Sequence, residues 1–219
     1  LQIRRARRRP GAALNLAALG IGHVPPRRVG LLGGSFNPAH AGHVNLSLEA
    51  LRRLGLDEVW WLVAPQNPLK PSRSMTPPEK RLAAARQRVR HPRIRVLDLE
   101  SRLGTVFTID TLRALKRHFP RTRFVWLMGA DNLSQIRHWR GWRAIFMSQP
   151  IAVFARPTYC RSALAALPAH RFARHRLPAA AARRLPGAKP PAWIFLGSML
   201  DPHSATQIRR HIRGDRHTA

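Results

Sequence analysis

The residues best suited by type and spacing to chemistry lie between positions 33 and 43. That segment follows a short apolar run, precedes a helical pattern, and reads Gly33-Gly34-Ser35-Phe36-Asn37-Pro38-Ala39-His40-Ala41-Gly42-His43. Its glycine pair lets the backbone approach an anion closely, and the positive end of the following helix faces the same point. The segment therefore predicts a phosphate-binding turn made by Gly33, Gly34, Ser35 and Phe36.

Two imidazoles, His40 and His43, flank that turn. When a nucleotidyl group is transferred, negative charge builds on the α-phosphate oxygens, so fixed donors aimed at them stabilise the transition state more than the substrate. We expect both rings to converge on such an anion, with neither acting as a metal ligand. The alternative is that they cap the helix and satisfy loop carbonyls. The glycine pair and the strand–loop–helix context favour the anion site.

Other phosphate and hydrolase motifs are missing from the sequence. There is no Gly-x-x-x-x-Gly-Lys-Ser/Thr, and Gly30-x-x-Gly33-Gly34 does not match the dinucleotide fingerprint. Ser35 lacks the Gly-x-Ser-x-Gly setting of a nucleophile elbow. These absences exclude a P-loop enzyme and argue against a serine hydrolase.

Short apolar runs alternate with helical patterns from Val29 onward, which is typical of βαβ units. We predict an α/β fold: a Rossmann-like, doubly wound, mostly parallel sheet with flanking helices. The predicted strands are 29–33, 58–64, 94–99, 123–128, 151–155 and 193–197. The predicted helices are 43–54, which Gly55 ends, then 78–90, 109–118, 141–147 and 204–213. Residues 160–192 lack clear periodicity, and we expect a helix and loops there.

The length of 219 residues fits one α/β domain, which we place at 29–219. Residues 1–28 are basic and only weakly apolar, so we expect a disordered N-terminal arm, which an over-extended gene start would also produce. A secretory signal is the alternative, but Gly20, Gly22 and His23 dilute its apolar stretch.

The formal charge of +29 raises the possibility of nucleic-acid binding. Nearly all of that charge is Arg, it is spread along the chain, and Ala and Pro are abundant, which is what GC-rich codon usage produces. We therefore expect a solvated basic surface and regard nucleic acid as an unlikely partner. With no apolar run long enough to span a bilayer and Cys160 as the lone cysteine, we expect a soluble cytoplasmic protein without a zinc site.

The run Gly-Ser-Phe-Asn-Pro-x-His-x-Gly-His resembles the signature of the nucleotidyltransferase superfamily that includes adenylyl- and cytidylyltransferases. That superfamily has a second element, Ser-x-Thr-x-Ile-Arg, at the start of its last helix. It is matched here by Ser204-Ala205-Thr206-Gln207-Ile208-Arg209. The resemblance implies that Ser204, Thr206 and Arg209 hold the ATP β- and γ-phosphates. The alternative is a Ser N-cap with Arg209 on a solvated face.

Two further segments make the chain similar to the bacterial nicotinate mononucleotide adenylyltransferases. A strand runs into a Pro-rich loop that ends in Lys70, which the resemblance places on a phosphate; a solvated lysine is the alternative. Phe107-Thr108-Ile109-Asp110-Thr111-Leu112 resembles the family's Ser-Tyr-Thr-x-Asp-Thr-Leu at the acceptor site. Val106 and Phe107 replace the Ser and Tyr, so an aromatic face is kept and a hydroxyl is lost. Thr108 also suits a helix N-cap, and amides at that helix start could hold the nicotinate carboxylate.

A third segment, Gly129-Ala130-Asp131-Asn132-Leu133, follows a strand and precedes Trp139 and Trp142. The resemblance implies that Gly129 and Asp131 contact the adenosine, with Asp131 accepting ribose hydroxyls, and that Trp139 stacks on the pyridine ring. The alternatives are a helix cap for Asp131 and core packing for Trp139.

Together these matches imply direct attack by the phosphate of nicotinate mononucleotide on ATP, with His40, His43, Lys70 and Arg209 as the phosphate clamp. We expect Mg²⁺ to accompany ATP and to be held mainly by phosphates and water, since no carboxylate pair suggests a ligand set. Another acceptor, nicotinamide mononucleotide or phosphopantetheine, is an alternative with the same fold. A basic nucleic-acid-binding protein is an alternative from another class. The sequence fits a monomer or a homo-oligomer equally well.

Overall fold

The computed structural model describes residues 27–65, 75–155 and 159–197. Its strands are β1 (Arg28–Gly34), β2 (Glu58–Val63), β3 (Ile94–Leu97), β4 (Arg123–Gly129), β5 (Ile151–Phe154), β6 (Arg176–Leu177) and β7 (Trp193–Leu196). Its α-helices are α1 (Ala41–Leu54), α2 (Pro78–Arg88), α3 (Leu99–Leu103), α4 (Thr108–His118), α5 (Ala130–Gln135), α6 (Trp142–Ser148), α7 (Cys160–Leu164) and α8 (Leu167–Arg171). Short 3₁₀ helices span Ile136–His138, Ala173–His175 and Ala179–Gly187.

The seven strands form one sheet in the order β3-β2-β1-β4-β5-β7-β6, and every pair is parallel. The central strand β1 pairs with β2 on one side and with β4 on the other, with Leu31 opposite both Trp60 and Trp126. The chain reverses its direction of travel across the sheet between β1 and β4, and such switch points create a crevice at the carboxyl ends of the strands. The predicted fold class is confirmed.

Helices cover both faces of the sheet, so its inner strands are apolar on both sides. Neighbouring residues therefore join opposite cores: Leu31 and Trp60 lie in one buried cluster, while Leu32 and Trp61 lie in the other. Each fully buried large side chain contributes roughly 1.5–3 kcal/mol to folding. These two cores fix the strands whose ends carry the candidate site.

The predicted strands and most predicted helices are present, and the differences have local causes. Strand β3 ends at Leu97 because residues 99–103 turn into α3, where the apolar run had suggested more strand. Helix α1 begins at Ala41 rather than at 43, because His40 serves as its N-cap. Gly55 ends the helix, as predicted, and adopts a left-handed φ of 62°.

Residues 160–192 hold more structure than the expected helix and loops. They form α7, α8, two 3₁₀ helices and the two-residue strand β6. These elements are too short for a helical period to show in the sequence. The predicted helix 204–213, and all of the expected N-terminal arm except Arg27 and Arg28, lie outside the described residues.

Across the described ranges, no helix is long and apolar enough to cross a membrane.

Candidate active site

The candidate site lies where β1 and β4 end side by side. Strand β1 leads into the Ser35–Phe36 turn and then α1, and β4 leads directly into α5. Gly33 is the next-to-last residue of β1, and a Cβ atom there would overlap the Trp126 indole of β4. Gly33 is therefore required for packing between the two strands, a reason that differs from the close anion approach inferred from the sequence. A Cβ atom on Gly34 would meet only ordinary contact with the Phe36 ring, at 3.5 Å.

The two histidines form a reciprocal cap at the start of α1. The His40 Nδ1 accepts the Gly42 N–H at 3.1 Å, and the His43 Nδ1 accepts the His40 N–H at 3.3 Å. This is the geometry of a capping box, built here from two imidazoles rather than from the usual Ser/Thr and Glu/Gln. The helix-capping alternative is therefore present in the structure, and it brings the ring centroids to 3.9 Å of each other.

The cap also selects the tautomer of each ring when that ring is neutral. A nitrogen that accepts a hydrogen bond carries no proton, so each neutral ring holds its proton on Nε2. Protonating both nitrogens of either ring would remove one of the two caps. His40 is only 4% exposed, which keeps its ring in a single orientation. Both rings are thus oriented at the start of α1, with the proton of each neutral ring on Nε2.

Phe36 supports the turn from beneath. Its ring stacks on Trp61 with centroids 4.8 Å apart and also contacts the His43 ring at 4.8 Å. The Trp61 indole donates to Ser47 Oγ, which in turn donates to the His43 carbonyl, both at 2.8 Å. Phe36 has φ of 44°, a left-handed conformation that is uncommon for a bulky residue. The aromatic stack thus holds a strained turn in place.

Arg81, near the start of α2, lies behind the same turn and was missed by sequence reasoning. Its guanidinium donates to four backbone carbonyls, those of Ser35, Ala64, Pro65 and Thr76. Burial lowers the pKa of Arg81 from its ordinary value, although an arginine stays charged in proteins. Nothing in the sequence distinguishes this residue among 39 Lys and Arg.

The predicted acceptor segment begins α4, but with a different cap from the one expected. The N-cap is Phe107 and Thr108 is the first helical residue, with no side-chain cap, so the Thr108 N-cap prediction is wrong. The Phe107 carbonyl accepts the N–H groups of Asp110 and Thr111 at 2.9 and 3.1 Å, and the Thr111 hydroxyl at 3.3 Å. The exposed Arg140 places its guanidinium 4.6 Å from the centre of the Phe107 ring. That cation–π contact was not anticipated.

Beneath this segment lies a buried carboxyl group. Glu100 of α3 is within 3.5 Å of the Thr111 hydroxyl, which also lies 2.8 Å from the Thr105 hydroxyl. Burial raises the pKa of Glu100 to about 7, and the Thr111 hydrogen bond only partly offsets that rise. Sequence reasoning did not identify Glu100, because a lone Glu in a short helix carries no periodic signal.

The residues predicted to contact adenosine directly follow β4. Gly129 is the N-cap residue of α5 and Asp131 is the second residue of that helix, with no side-chain cap. The helix-cap alternative for Asp131 therefore does not hold. Trp139 is half-buried and meets Trp126 edge-to-face, with centroids 6.3 Å apart at 85°. Its ring is thus partly core and partly accessible.

Four predicted site residues lie outside the described residues: Lys70, Ser204, Thr206 and Arg209. Of the predicted phosphate clamp, the structure therefore positions the histidine pair alone. In the part of the chain that the structure describes, no group of three or more His, Cys, Asp or Glu could hold a metal ion.

Known proteins are similar to this chain in sequence and in fold. The cytidylyltransferase-like family matches residues 31–211. A protein of Cereibacter sphaeroides named "probable nicotinate-nucleotide adenylyltransferase" is 52% identical over 181 residues, covering 83% of this chain and 95% of that protein. A protein of the same name from Parvibaculum lavamentivorans is 51% identical over 186 residues, covering 85% and 92%.

A solved structure shares the architecture at much lower sequence identity. Plasmodium falciparum nicotinic acid mononucleotide adenylyltransferase, complexed with NaAD, superposes with a TM-score of 0.64 at 17% identity, covering 84% of this chain and 83% of that one. At that identity the likeness supports the fold alone. The family assignment depends instead on the family match over residues 31–211 and on the bacterial relatives, which are about half identical over more than four fifths of this chain. The chain therefore belongs to the nicotinate-nucleotide adenylyltransferases, nucleotidyltransferases of the cytidylyltransferase-like family.

Proposed function

We propose that this chain transfers the adenylyl group of ATP to nicotinate mononucleotide, giving deamido-NAD and pyrophosphate. The observation that carries the proposal is the pair of imidazoles at the end of the central strand, each oriented through Nδ1 so that its Nε2–H is a donor. Relatives about half identical in sequence carry the matching name, which supports the choice of acceptor.

The reaction is a direct in-line displacement. An oxygen of the mononucleotide phosphate forms a bond to the α-phosphorus of ATP, the bond from that phosphorus to the bridging oxygen of the β-phosphate breaks, and pyrophosphate leaves with the bonding electrons. The acceptor is already an anionic nucleophile, so neither a general base nor a covalent enzyme intermediate is needed. Catalysis then depends on positioning and on stabilising charge at the α-phosphate.

In this mechanism His40 and His43 donate to the α-phosphate oxygens as their charge grows. Because the reciprocal cap orients both rings before substrate binds, little reorganisation is required at the moment of reaction. Gly33, Gly34, Ser35 and Phe36 bring backbone to the phosphates, while the Phe36 ring itself stays in the core. The family resemblance assigns the β- and γ-phosphates to Lys70, Ser204, Thr206 and Arg209.

The acceptor binds at the start of α4 in this proposal. The first amides of a helix have no intrahelical partner, so Thr108 and Ile109 offer N–H groups to the nicotinate carboxylate. Phe107 and Trp139 supply aromatic faces for the pyridine ring, and Arg140 adds positive charge next to Phe107. An uncharged nicotinamide would gain less from this environment than the acid does.

Adenosine contacts come from the residues that follow β4, with Gly129 near the nucleoside and the Asp131 carboxylate accepting ribose hydroxyls. The described residues provide no protein cage for a cation. Mg²⁺ would accompany ATP and offset phosphate charge.

The test is pyrophosphate release by the purified chain with ATP, Mg²⁺ and one acceptor at a time: nicotinate mononucleotide, nicotinamide mononucleotide or phosphopantetheine. The proposal predicts the highest kcat/KM for the acid. Equal or higher kcat/KM for either of the other acceptors would refute the assignment of the acceptor. Tight RNA or DNA binding at physiological salt, without pyrophosphate release, would favour the nucleic-acid-binding alternative instead.

A further inference from the structure

Among the lysines and arginines that the structure describes, Arg81 is unusual because it is only 2% exposed. A buried charge is costly unless it is paired and hydrogen-bonded. The salt bridges among the described residues all involve other arginines. Glu79 adds a favourable charge interaction without forming one of these salt bridges, so most of the compensation for burying Arg81 comes from its hydrogen bonds.

Those hydrogen bonds join three parts of the backbone. Arg81 Nη1 donates to the Ser35 carbonyl, just after β1, and to the Ala64 carbonyl, just after β2, the latter at 2.8 Å. Nη2 donates to the Pro65 carbonyl and Nε to the Thr76 carbonyl, both at 2.8 Å. The planar guanidinium group therefore fixes the ends of β1 and β2 relative to Thr76, which lies just before α2.

The bond to Ser35 also sets the conformation of the turn. The Ser35–Phe36 peptide is trans, and in a trans peptide the carbonyl and the following N–H point in opposite directions. Holding the Ser35 carbonyl on the Arg81 side therefore turns the Phe36 N–H away from the guanidinium. Phe36 is the residue with φ of 44°, so this restraint acts at the strained position of the turn.

We infer that Arg81 is a positioning residue for adenylyl transfer: from behind, it holds the Ser35–Phe36 peptide in the orientation that the triphosphate requires. The inference depends on the proposed function, and it assigns Arg81 no contact with substrate. It also gives a reason for burying a cation beneath an anion-binding turn, since the positive charge lies behind the backbone that faces the phosphates.

The experiment compares Arg81→Lys, Arg81→Ala and the matched control Leu82→Ala with the wild type. Leu82 is the next residue of α2 and packs, partly buried, on the core beside the turn, so its truncation lowers stability without removing a bond to the turn. Lysine keeps the charge but cannot reproduce four directed bonds. We expect Arg81→Lys to lower kcat/KM for ATP by about 100-fold, because small misplacements of reacting groups cost that much. The KM for the acceptor should stay unchanged.

Chemical rescue separates positioning from a general loss of structure. Guanidinium ion at a sub-denaturing concentration should raise the kcat/KM of Arg81→Ala by at least about tenfold. It should leave the kcat/KM of Leu82→Ala unchanged. Overturning results are an Arg81→Lys enzyme within about threefold of wild type, or a folded Arg81→Ala enzyme that guanidinium does not rescue. If neither Arg81 variant folds, the residue has a general structural role and the inference is also overturned.

Calorimetric titration with ATP alone distinguishes this inference from the proposed function. If the wild type binds ATP but forms no deamido-NAD, and Arg81→Lys still weakens ATP binding by about tenfold or more, then the acceptor assignment fails and the role of Arg81 stands. If the wild type makes deamido-NAD and Arg81→Lys binds ATP and turns over normally, the role of Arg81 fails and the function stands.

Discussion

The two ends of the candidate site are built differently. At the turn after β1, the Phe36 ring and the His40 imidazole are buried, the histidines cap each other, and Arg81 holds the backbone from behind. At the segment leading into α4, Val106 is 43% exposed, while Phe107 and Trp139 are only partly buried. The end assigned to phosphate chemistry is thus rigid before substrate arrives, whereas the end assigned to the acceptor is left accessible.

That difference follows from what each end is proposed to do. Stabilising transition-state charge requires donors that are already oriented, because any reorganisation adds to the barrier. Recognising a flat aromatic acid requires exposed aromatic faces and amides that substrate can reach. Mutations at the first end should therefore affect stability and turnover together, and those at the second end should affect acceptor binding.

The largest expected effect on stability comes from truncating the ring under the turn. Phe36→Ala should lower the free energy of unfolding by about 3–5 kcal/mol, because it removes a buried aromatic side chain from its stack with Trp61. The half-buried Phe107→Ala serves as control and should cost about 1–2 kcal/mol. Urea unfolding measures both. Equal losses would remove the contrast between the two ends.

Glu100 adds a pH dependence to the acceptor end. Its folded-state pKa of about 7 lies above the ordinary 4.5, so the folded protein favours the protonated carboxyl. The stabilising contribution is fully present below about pH 4.5 and is lost as the pH rises to about 7, by on the order of 3 kcal/mol. Glu100→Gln stays neutral and should lack this loss.

The measurement is the free energy of unfolding of wild type and Glu100→Gln at about pH 5 and about pH 8. As the pH rises, the free energy of unfolding of Glu100→Gln should increase relative to that of the wild type. If the difference between the two proteins is the same at both pH values, the Glu100 carboxyl group is ionised at both, and burial does not raise its pKa.

A smaller and more selective effect is expected at Trp139. Stacking of an aromatic side chain on a nucleotide base contributes about 1–3 kcal/mol, so Trp139→Ala should raise the KM for nicotinate mononucleotide by about 10- to 100-fold. The KM for ATP should not change. Trp142→Ala is the matched control, because that ring contacts Phe146 and Phe172 instead. An unchanged acceptor KM in Trp139→Ala would contradict the acceptor site described above.

Sequence reasoning succeeded where one residue type has one physical role. Buried parallel strands are continuous apolar runs, so every strand except the two-residue β6 could be predicted, and Gly55 ends α1 because a left-handed residue is needed there. It failed where the role depends on tertiary contacts. Arg81 sits in an ordinary helical pattern, and only the fold brings the carbonyls of Ser35, Ala64 and Pro65 to it.

The same limit applies to two details of the site. The steric need for glycine at position 33 comes from Trp126, which is distant in sequence, and the sequence predicts only the close anion approach. Thr108 was predicted as an N-cap from its residue type, yet Phe107 occupies that position and no side chain caps the helix. Motifs therefore selected the candidate site residues, while the packing around each of them could be read only from the fold.

The most direct test of the account is the kinetics of His43→Gln. Glutamine at this position can still accept the His40 N–H, as in an ordinary capping box, so the helix start is kept while the imidazole donor is removed. The account predicts that kcat with ATP and nicotinate mononucleotide falls by about 100- to 1,000-fold, the cost of losing one transition-state donor, with little change in the KM for ATP. A raised KM for ATP with kcat close to that of the wild type would contradict it, because His43 would then hold the substrate without acting on the transition state.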